Sequence, residues 1–158
     1  KRVGGFPGKM MYNGCFVFKY DPATQTTEAI VTDMDRPNGI ALSRDETHLM
    51  ISNSGVEKYL RRYDIDENLT LSNPKEFARQ DPTKVFDGFR FDSEDKLWTS
   101  CGKSVVCYNP AGEQVDKIDV PERVSNVEFG GQDGNILFIT ASTSVYMTDL
   151  KIKGAKFI

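Results

Sequence analysis

A four-part pattern recurs along the chain, and it limits the fold more than any other feature of the sequence. Three runs of alternating polar and apolar residues start the pattern: NGIALS from Asn38, DGFRFD from Asp87 and SNVEFG from Ser125. About 11 residues after each start comes a more apolar run: LMIS from Leu49, LWTS from Leu97 and LFIT from Leu137. A period of two with β-branched and aromatic residues is typical of strands.

Further runs complete the repeated unit. The third members are YLRRYDI from Tyr59, VVCYNP from Val105 and VYMTDL from Val145, and weaker fourth members are KEFARQ from Lys75 and QVDKIDV from Gln114. The polar segments SRDETH, DSEDK and GGQDGN separate first from second members, as expected of hairpin connections. The start of the chain repeats only the second half of the unit, with CFVFKYDP from Cys15 and TEAIVT from Thr27.

These repeats predict an all-β chain with about three and a half four-stranded antiparallel units. No long stretch shows a helical stripe, and nothing marks a linker, so residues 1–158 are assigned to one partial domain. Repeats of this length and strand number are typical of β-propeller blades, which close in rings of about four to eight. Three and a half blades would leave two apolar faces and unpaired strand edges open to water. We therefore expect either a fragment or copies that complete one another.

Composition excludes several classes of partner. The net charge is -3 and the pI is about 5.2, and the basic residues are scattered, so we expect no binding to nucleic acid or to a membrane surface. No apolar run approaches the roughly 20 residues of a membrane span, and the opening KRVGGFPGKMM lacks the apolar stretch of a signal peptide. We expect a soluble protein and favour the cytoplasm. Three cysteines without CxxC spacing indicate buried free thiols.

Asn38 and Asp87 are the candidate site residues, each followed by Gly at the start of a predicted innermost strand. Asn-Gly and Asp-Gly also form turns, and spacing alone favours a turn for Asn38. The two residues occupy equivalent repeat positions, however, at the predicted mouth of a central channel. Carboxylate and amide oxygens suit a hard cation such as calcium. Asn126 holds the equivalent position in the next unit and is a weaker candidate for contact with a substrate.

The chain resembles the six-bladed propellers of the senescence-marker-protein, gluconolactonase and luciferin-regenerating-enzyme family. The resemblance rests on four stretches and runs from Gly14 onward in family order: RPNGIALSRDETHLMISNS, VFDGFRFDSEDKLWTS, VCYNPAGEQVDKIDVPE and SNVEFGGQDGNILFITASTSVY. It is nearest to bacterial gluconolactonases and corresponds to the C-terminal half of such a propeller.

The resemblance implies a divalent cation at one end of the channel, held by a Glu, two Asn and an Asp. Asn38 matches the later ligand Asn, and Asp87 matches the ligand Asp, which also serves as general base. The Glu and the earlier Asn have no counterpart in this sequence. The implied cation is calcium, with zinc, manganese or magnesium as alternatives, and the implied substrate is a small-molecule sugar lactone, with small organophosphate-like esters as a secondary class.

Two classes of function therefore stay open. The preferred reading is a lactonase of the gluconolactonase type, with Asp87 catalytic and Asn38 and Asp87 binding metal. The alternative is a non-enzymatic binding or scaffolding module that self-associates or pairs with the missing N-terminal half. A two-fold dimer would bring four such side chains around one axis. A serine or cysteine nucleophile is disfavoured, because there is no GxSxG and the only histidine, His48, lies in a polar turn.

Overall fold

The described part of the chain consists of antiparallel strands joined by short turns. The computed structural model describes residues 13–156, and in that range thirteen strands form four sheets. The predicted domain, residues 1–158, extends beyond this range, so residues 1–12, with the segment compared above to a signal peptide, and residues 157–158 lie outside the described residues. Residues 13–156 contain no helix that could span a membrane.

The four sheets follow one another along the chain, and all strand pairs are antiparallel. The first sheet contains β1 (Cys15–Asp21) and β2 (Thr26–Met34). The second contains β3 (Pro37–Leu42), β4 (His48–Ser54), β5 (Lys58–Ile65) and β6 (Leu71–Arg79). The third contains β7 (Phe89–Phe91), β8 (Leu97–Cys101), β9 (Ser104–Tyr108) and β10 (Gln114–Asp119). The fourth contains β11 (Val124–Gly130), β12 (Ile136–Ala141) and β13 (Val145–Asp149). The predicted all-β class of repeated antiparallel units is confirmed.

Strand β6 begins earlier than the sequence pattern indicates. The predicted run started at Lys75, whereas the strand starts at Leu71, which pairs with Ile65 of β5. Pro74 would end most strands because it lacks a backbone N–H. It is tolerated here because β6 lies at the edge of its sheet, where that group has no partner to lose.

Apolar clusters between neighbouring sheets hold the fold together. One cluster joins the first and second sheets through side chains such as Val31 and Ile51, and another joins the second and third through Leu60 and Leu97. A third cluster joins the third and fourth sheets. The first strands of three successive sheets, β3, β7 and β11, contact one another in that order and are called the inner strands below. This side-by-side stacking matches the predicted succession of blades.

Burial patterns show which sheet faces are covered. Strand β4 is buried at all five of its central positions because sheets pack on both of its faces. Strand β12 instead alternates, with Leu137 and Ile139 buried and Phe138 37% exposed. On the same outward face, the neighbouring strand β13 exposes Val145 by 69% and Met147 by 70%. The outward face of the fourth sheet is therefore an open apolar surface in the described chain.

The Glu122 side chain links two loops of the fourth sheet through hydrogen bonds. Its carboxylate accepts hydrogen bonds from the Ser144 hydroxyl at 2.6 Å, the Thr143 backbone N–H at 2.7 Å and the Tyr146 hydroxyl at 3.1 Å. The Ser144 hydroxyl, followed by the Thr143 backbone N–H, lowers the pKa of Glu122 from 4.5 to about 2. The ionised side chain thus connects the segment before β11 to the turn between β12 and β13.

We expect Glu122→Gln to destabilise the fold at neutral pH and to have a smaller effect in acid. Because the folded-state pKa lies below the unfolded value, the carboxylate stabilises the fold above pH 4.5, and this contribution is lost as the pH falls towards 2. Urea unfolding of wild type and variant at pH 7 and pH 3 measures the difference. Glu67→Gln, at an exposed position, is the matched control. An equal deficit at both pH values would contradict this role.

Candidate functional site

The segments that carry Asn38, Asp87 and Asn126 meet at one end of the inner strands. The Gly88 N–H donates to the Ser125 carbonyl at 2.8 Å, which joins the Asp87 segment to the Asn126 segment. A methyl group added to Gly39 would lie 2.0 Å from the backbone oxygen of Asp87, and one added to Gly88 would lie 1.9 Å from Oδ1 of Asn126. The missing side chains of both glycines therefore allow the close approach of neighbouring inner strands.

Asn38 and Asp87 lie next to each other at this end. Asn38 is exposed and Asp87 is half-buried. Burial raises the pKa of Asp87, while the Asn38 side chain and the positive charge of Arg123 act in the opposite direction. The Ser54 hydroxyl lies 3.1 Å from Nδ2 of Asn38 and 2.7 Å from the carbonyl oxygen of Phe86, the residue before Asp87, so the structure brings the two predicted ligands close together. Their roles as ligands and as general base remain predictions.

Serine hydroxyls of two second strands hold the Asp87 segment in place. Ser100 of β8 accepts the Asp87 backbone N–H at 2.9 Å, and Ser52 of β4 donates to the Asp87 carbonyl at 3.2 Å. Ser54, also on β4, donates to the Phe86 carbonyl at 2.7 Å. Two of these three hydroxyls come from the preceding sheet. The backbone around Asp87 is therefore fixed from both sides.

Asn126 lies beside this pair without touching it through a described hydrogen bond. Its Oδ1 accepts the backbone N–H of Val127 at 2.9 Å, within its own strand, and its side chain packs against Gly88. That local bond uses one of the two lone pairs of the oxygen that a ligand would contact. Asn126 therefore remains a weaker candidate than Asn38 or Asp87.

Arg123 is the residue of this region that sequence reasoning missed. It is exposed and stands directly before β11, close enough for its charge to lower the pKa of Asp87. The available signal was its position, two residues before the predicted third inner strand and three before Asn126. Its guanidinium adds positive charge near the candidate site.

His48 lies away from this end, whereas Cys101, which ends β8 next to Ser100, lies near it. His48 starts β4 while Ser54 ends it, and six strand steps span roughly 20 Å. The histidine instead contacts Thr47 at 2.8 Å and lies 3.4 Å from Asp64. All three cysteines are free; Cys101 and Cys107 are buried as predicted, whereas Cys15 is only half-buried. Burial raises the pKa of Cys107 to about 12, which suppresses its thiolate.

A groove of about 360 Å³ runs along the inner strands beyond the candidate site. Its lining includes Ile40, Arg90 and Glu128, one from each inner strand, and Arg90 pairs with Glu128 at 2.7 Å. Neither Asn38 nor Asp87 lines it. The groove is therefore the space that the three inner strands share, and the candidate site residues lie beyond its end.

The donor set fits a divalent cation only in part. Among residues 13–156 no group of three or more His, Cys, Asp or Glu side chains could hold a metal ion. Asn38 and Asp87 offer one amide oxygen and one carboxylate, which are hard donors of the type that calcium prefers. Calcium takes 6–8 oxygens, so the remaining ligands must be water, substrate or further protein groups.

Comparison with known proteins agrees with this architecture. The chain is 33% identical over 156 residues to a gluconolactonase of Zymomonas mobilis, covering 92% of this chain and 43% of that protein. A solved gluconolactonase from Xanthomonas campestris superposes with a TM-score of 0.81 at 25% identity, covering 94% of this chain and 47% of that one. A calcium-binding regucalcin from Agrobacterium tumefaciens shares the fold, with a TM-score of 0.77 at 19% identity and coverage of 88% and 53%.

The chain spans about half the length of these relatives, and its sheets match about half of a six-bladed propeller. The family model described as SMP-30/Gluconolactonase/LRE-like region matches residues 5–143. This chain therefore belongs to the SMP-30/Gluconolactonase/LRE-like family.

Proposed function

We propose that the chain supplies Asn38 and Asp87 to the divalent-cation site of a hydrolase that opens sugar lactones. The observation that supports this proposal most is the close approach of the two residues at adjacent ends of the inner strands, where Ser54 lies next to the Asn38 amide and hydrogen-bonds to the residue before Asp87. Both are oxygen donors, and both are held by hydroxyls of second strands. The gluconolactonase relatives suggest the substrate class.

Asp87 has the properties that a general base for this reaction needs. Burial raises the pKa of its carboxylate in the chain without a cation, and hydrogen bonds from Ser52 and to Ser100 fix its backbone at the strand end. In the proposed step, Asp87 takes a proton from the attacking water as the water oxygen bonds to the lactone carbonyl carbon. The ring C–O bond then breaks, and the released alkoxide oxygen takes the proton held by Asp87, which gives the open hydroxy acid and returns Asp87 to its carboxylate form.

Asn38 has a different part, since an amide neither gains nor loses a proton at neutral pH. It would hold the cation through Oδ1 and support the Asp87 carboxylate through its N–H groups. A divalent cation bound there would polarise the lactone carbonyl and lower the pKa of bound water. Calcium is the first choice because both donors are hard oxygens, with zinc, manganese and magnesium as alternatives.

Calorimetric titration with calcium and with zinc, followed by a gluconolactone hydrolysis assay, tests this function. We expect saturable cation binding, and turnover that rises with cation occupancy. Purified, folded protein that bound neither ion and hydrolysed no lactone would refute the proposal.

The open face of the fourth sheet favours a second candidate, a module that associates with a second copy of itself. Phe138, Val145 and Met147 form a continuous apolar surface there, and soluble monomers seldom expose such patches without a partner. Two copies joined through open sheet faces would also bring a second Asn38 and Asp87 towards the axis. This arrangement is compatible with either function.

Met147→Glu is expected to weaken such a dimer, because it places a charge in the middle of the apolar surface. Sedimentation velocity at micromolar concentration should then show dimers for wild type and monomers for the variant. Val115→Glu is the matched control, since Val115 is 51% exposed on β10, away from that surface. A well-folded wild-type monomer would exclude self-association.

A further inference from the structure

Ser54 connects the candidate ligand Asn38 to the segment that carries Asp87. Its hydroxyl donates to the Phe86 carbonyl at 2.7 Å, and Nδ2 of Asn38 lies 3.1 Å from the same hydroxyl oxygen. Its own backbone N–H donates to the Arg36 carbonyl at 2.9 Å, which fixes the end of β4 against the start of β3. One side chain therefore touches groups from two neighbouring sheets.

The single proton of the Ser54 hydroxyl determines the orientation of the Asn38 amide. A serine hydroxyl has a single proton, and a backbone carbonyl can only accept, so the bond to Phe86 uses that proton. Towards Asn38 the hydroxyl oxygen can then only accept. The amide must turn its Nδ2 to Ser54, and its Oδ1 must point away from it.

Oδ1 of the same amide is left for a ligand. Ser54 is the one hydrogen-bond partner of the Asn38 side chain among the described residues, and that bond occupies Nδ2. Oδ1 is therefore the polar atom of the amide that can face a cation.

We propose that Ser54 is a positioning residue that selects the orientation of the Asn38 amide in which Oδ1, and not Nδ2, is presented to a bound cation. The inference rests on the proposed cation site for its purpose, although the orientation itself does not depend on an ion. The amide would have two orientations of similar shape without this hydroxyl, and one of them would point N–H groups at the cation. Groups behind a metal ligand commonly change metal affinity by 10–100-fold when they are removed.

Ser52 provides the matched control within the same strand. It also bridges the two sheets, because it accepts the Gly39 N–H at 2.7 Å and donates to the Asp87 carbonyl at 3.2 Å. Both of its partners are backbone groups, so it does not touch the Asn38 amide. Ser52→Ala should therefore weaken the contact between the sheets without freeing that amide.

Two readouts on the purified chain test the proposal. The first is the side-chain NH₂ signal of Asn38 in a nitrogen-15 NMR spectrum without added metal. We expect it to shift and lose rigidity in Ser54→Ala, to stay near wild type in Ser54→Thr, which keeps the hydroxyl, and to be unchanged in Ser52→Ala. The second is calcium affinity by calorimetry, which should fall about tenfold in Ser54→Ala and recover in Ser54→Thr.

The two readouts test the positioning role of Ser54 and the proposed cation site separately. An Asn38 signal that is unchanged in Ser54→Ala, or that changes equally in Ser52→Ala, would overturn the positioning role. Wild-type protein that binds no calcium would refute the cation site, while the amide signal would still decide the role of Ser54. If Ser54→Ala fails to fold, Ser54→Cys fills nearly the same space with a weakly hydrogen-bonding thiol and should give the same direction of change.

Discussion

Asp87→Asn is expected to lower lactone turnover by roughly 100-fold to 10,000-fold, the usual contribution of a general base. The substitution keeps the shape of the side chain and its backbone bonds to Ser52 and Ser100, but it removes the negative charge and the proton acceptor. Cation affinity should fall in the same variant because an amide replaces a carboxylate ligand. Steady-state kinetics at saturating cation, with calorimetry on the same samples, measures both effects.

Asp133→Asn is the matched control for that change. Asp133 is exposed in the turn between β11 and β12, at the opposite end of β11 from the candidate site, and the substitution alters the net charge equally. We expect this variant to keep wild-type turnover and cation affinity. Normal turnover of Asp87→Asn at saturating metal would show that another group is the base.

Gly39→Ala is expected to destabilise the fold by about 1–3 kcal/mol, the usual cost of forcing extra atoms into a packed region. The added carbon would lie 2.0 Å from the Asp87 backbone oxygen and 2.8 Å from the ring of Phe89. A backbone oxygen in a hydrogen-bonded segment cannot simply rotate away. The Asp87 segment must therefore shift, and cation binding should weaken together with stability. Urea unfolding and calorimetry measure the two effects.

Gly88→Ala tests whether the loss of stability depends on which group the added carbon meets. Its added carbon would meet Oδ1, Cγ and Cβ of Asn126 at 1.9, 2.4 and 2.9 Å. Asn126 is exposed, so Oδ1 and Cγ can turn towards solvent, whereas Cβ must shift a small distance with its backbone. We expect a smaller loss of stability than for Gly39→Ala. Equal losses for the two variants would contradict the view that the Asp87 backbone is the rigid element.

Strand order was predictable from the sequence because each sheet repeats the same order of polar turn and apolar run. LMIS and LWTS are buried at every position because strands β4 and β8 are covered on both faces, whereas the alternating burial of β12 reflects its one open face. The start of β6 was missed because Pro74 resembles a strand breaker. It is acceptable because β6 is an edge strand and because Pro74 lies where the pairing of β6 with β5 is irregular.

The candidate site was only partly predictable. Asn38 and Asp87 were chosen because they occupy equivalent positions in two repeats and match a family pattern. Arg123 and the bridging part of Ser54 were not visible, because their contacts join residues from different sheets, as in the bond from Ser54 to Phe86. Such contacts depend on how the sheets stack, and a serine at the end of a strand carries no local sign of its partner.

The central claim is that Asn38 and Asp87 gather one divalent cation at the ends of adjacent inner strands. Crystals of the protein soaked in manganese, with anomalous diffraction recorded near the manganese edge, test it most directly. The account predicts one anomalous peak within about 2.0–2.6 Å of both Oδ1 of Asn38 and a carboxylate oxygen of Asp87. A manganese peak bound elsewhere, with these two side chains left without an ion at saturating concentration, would contradict it.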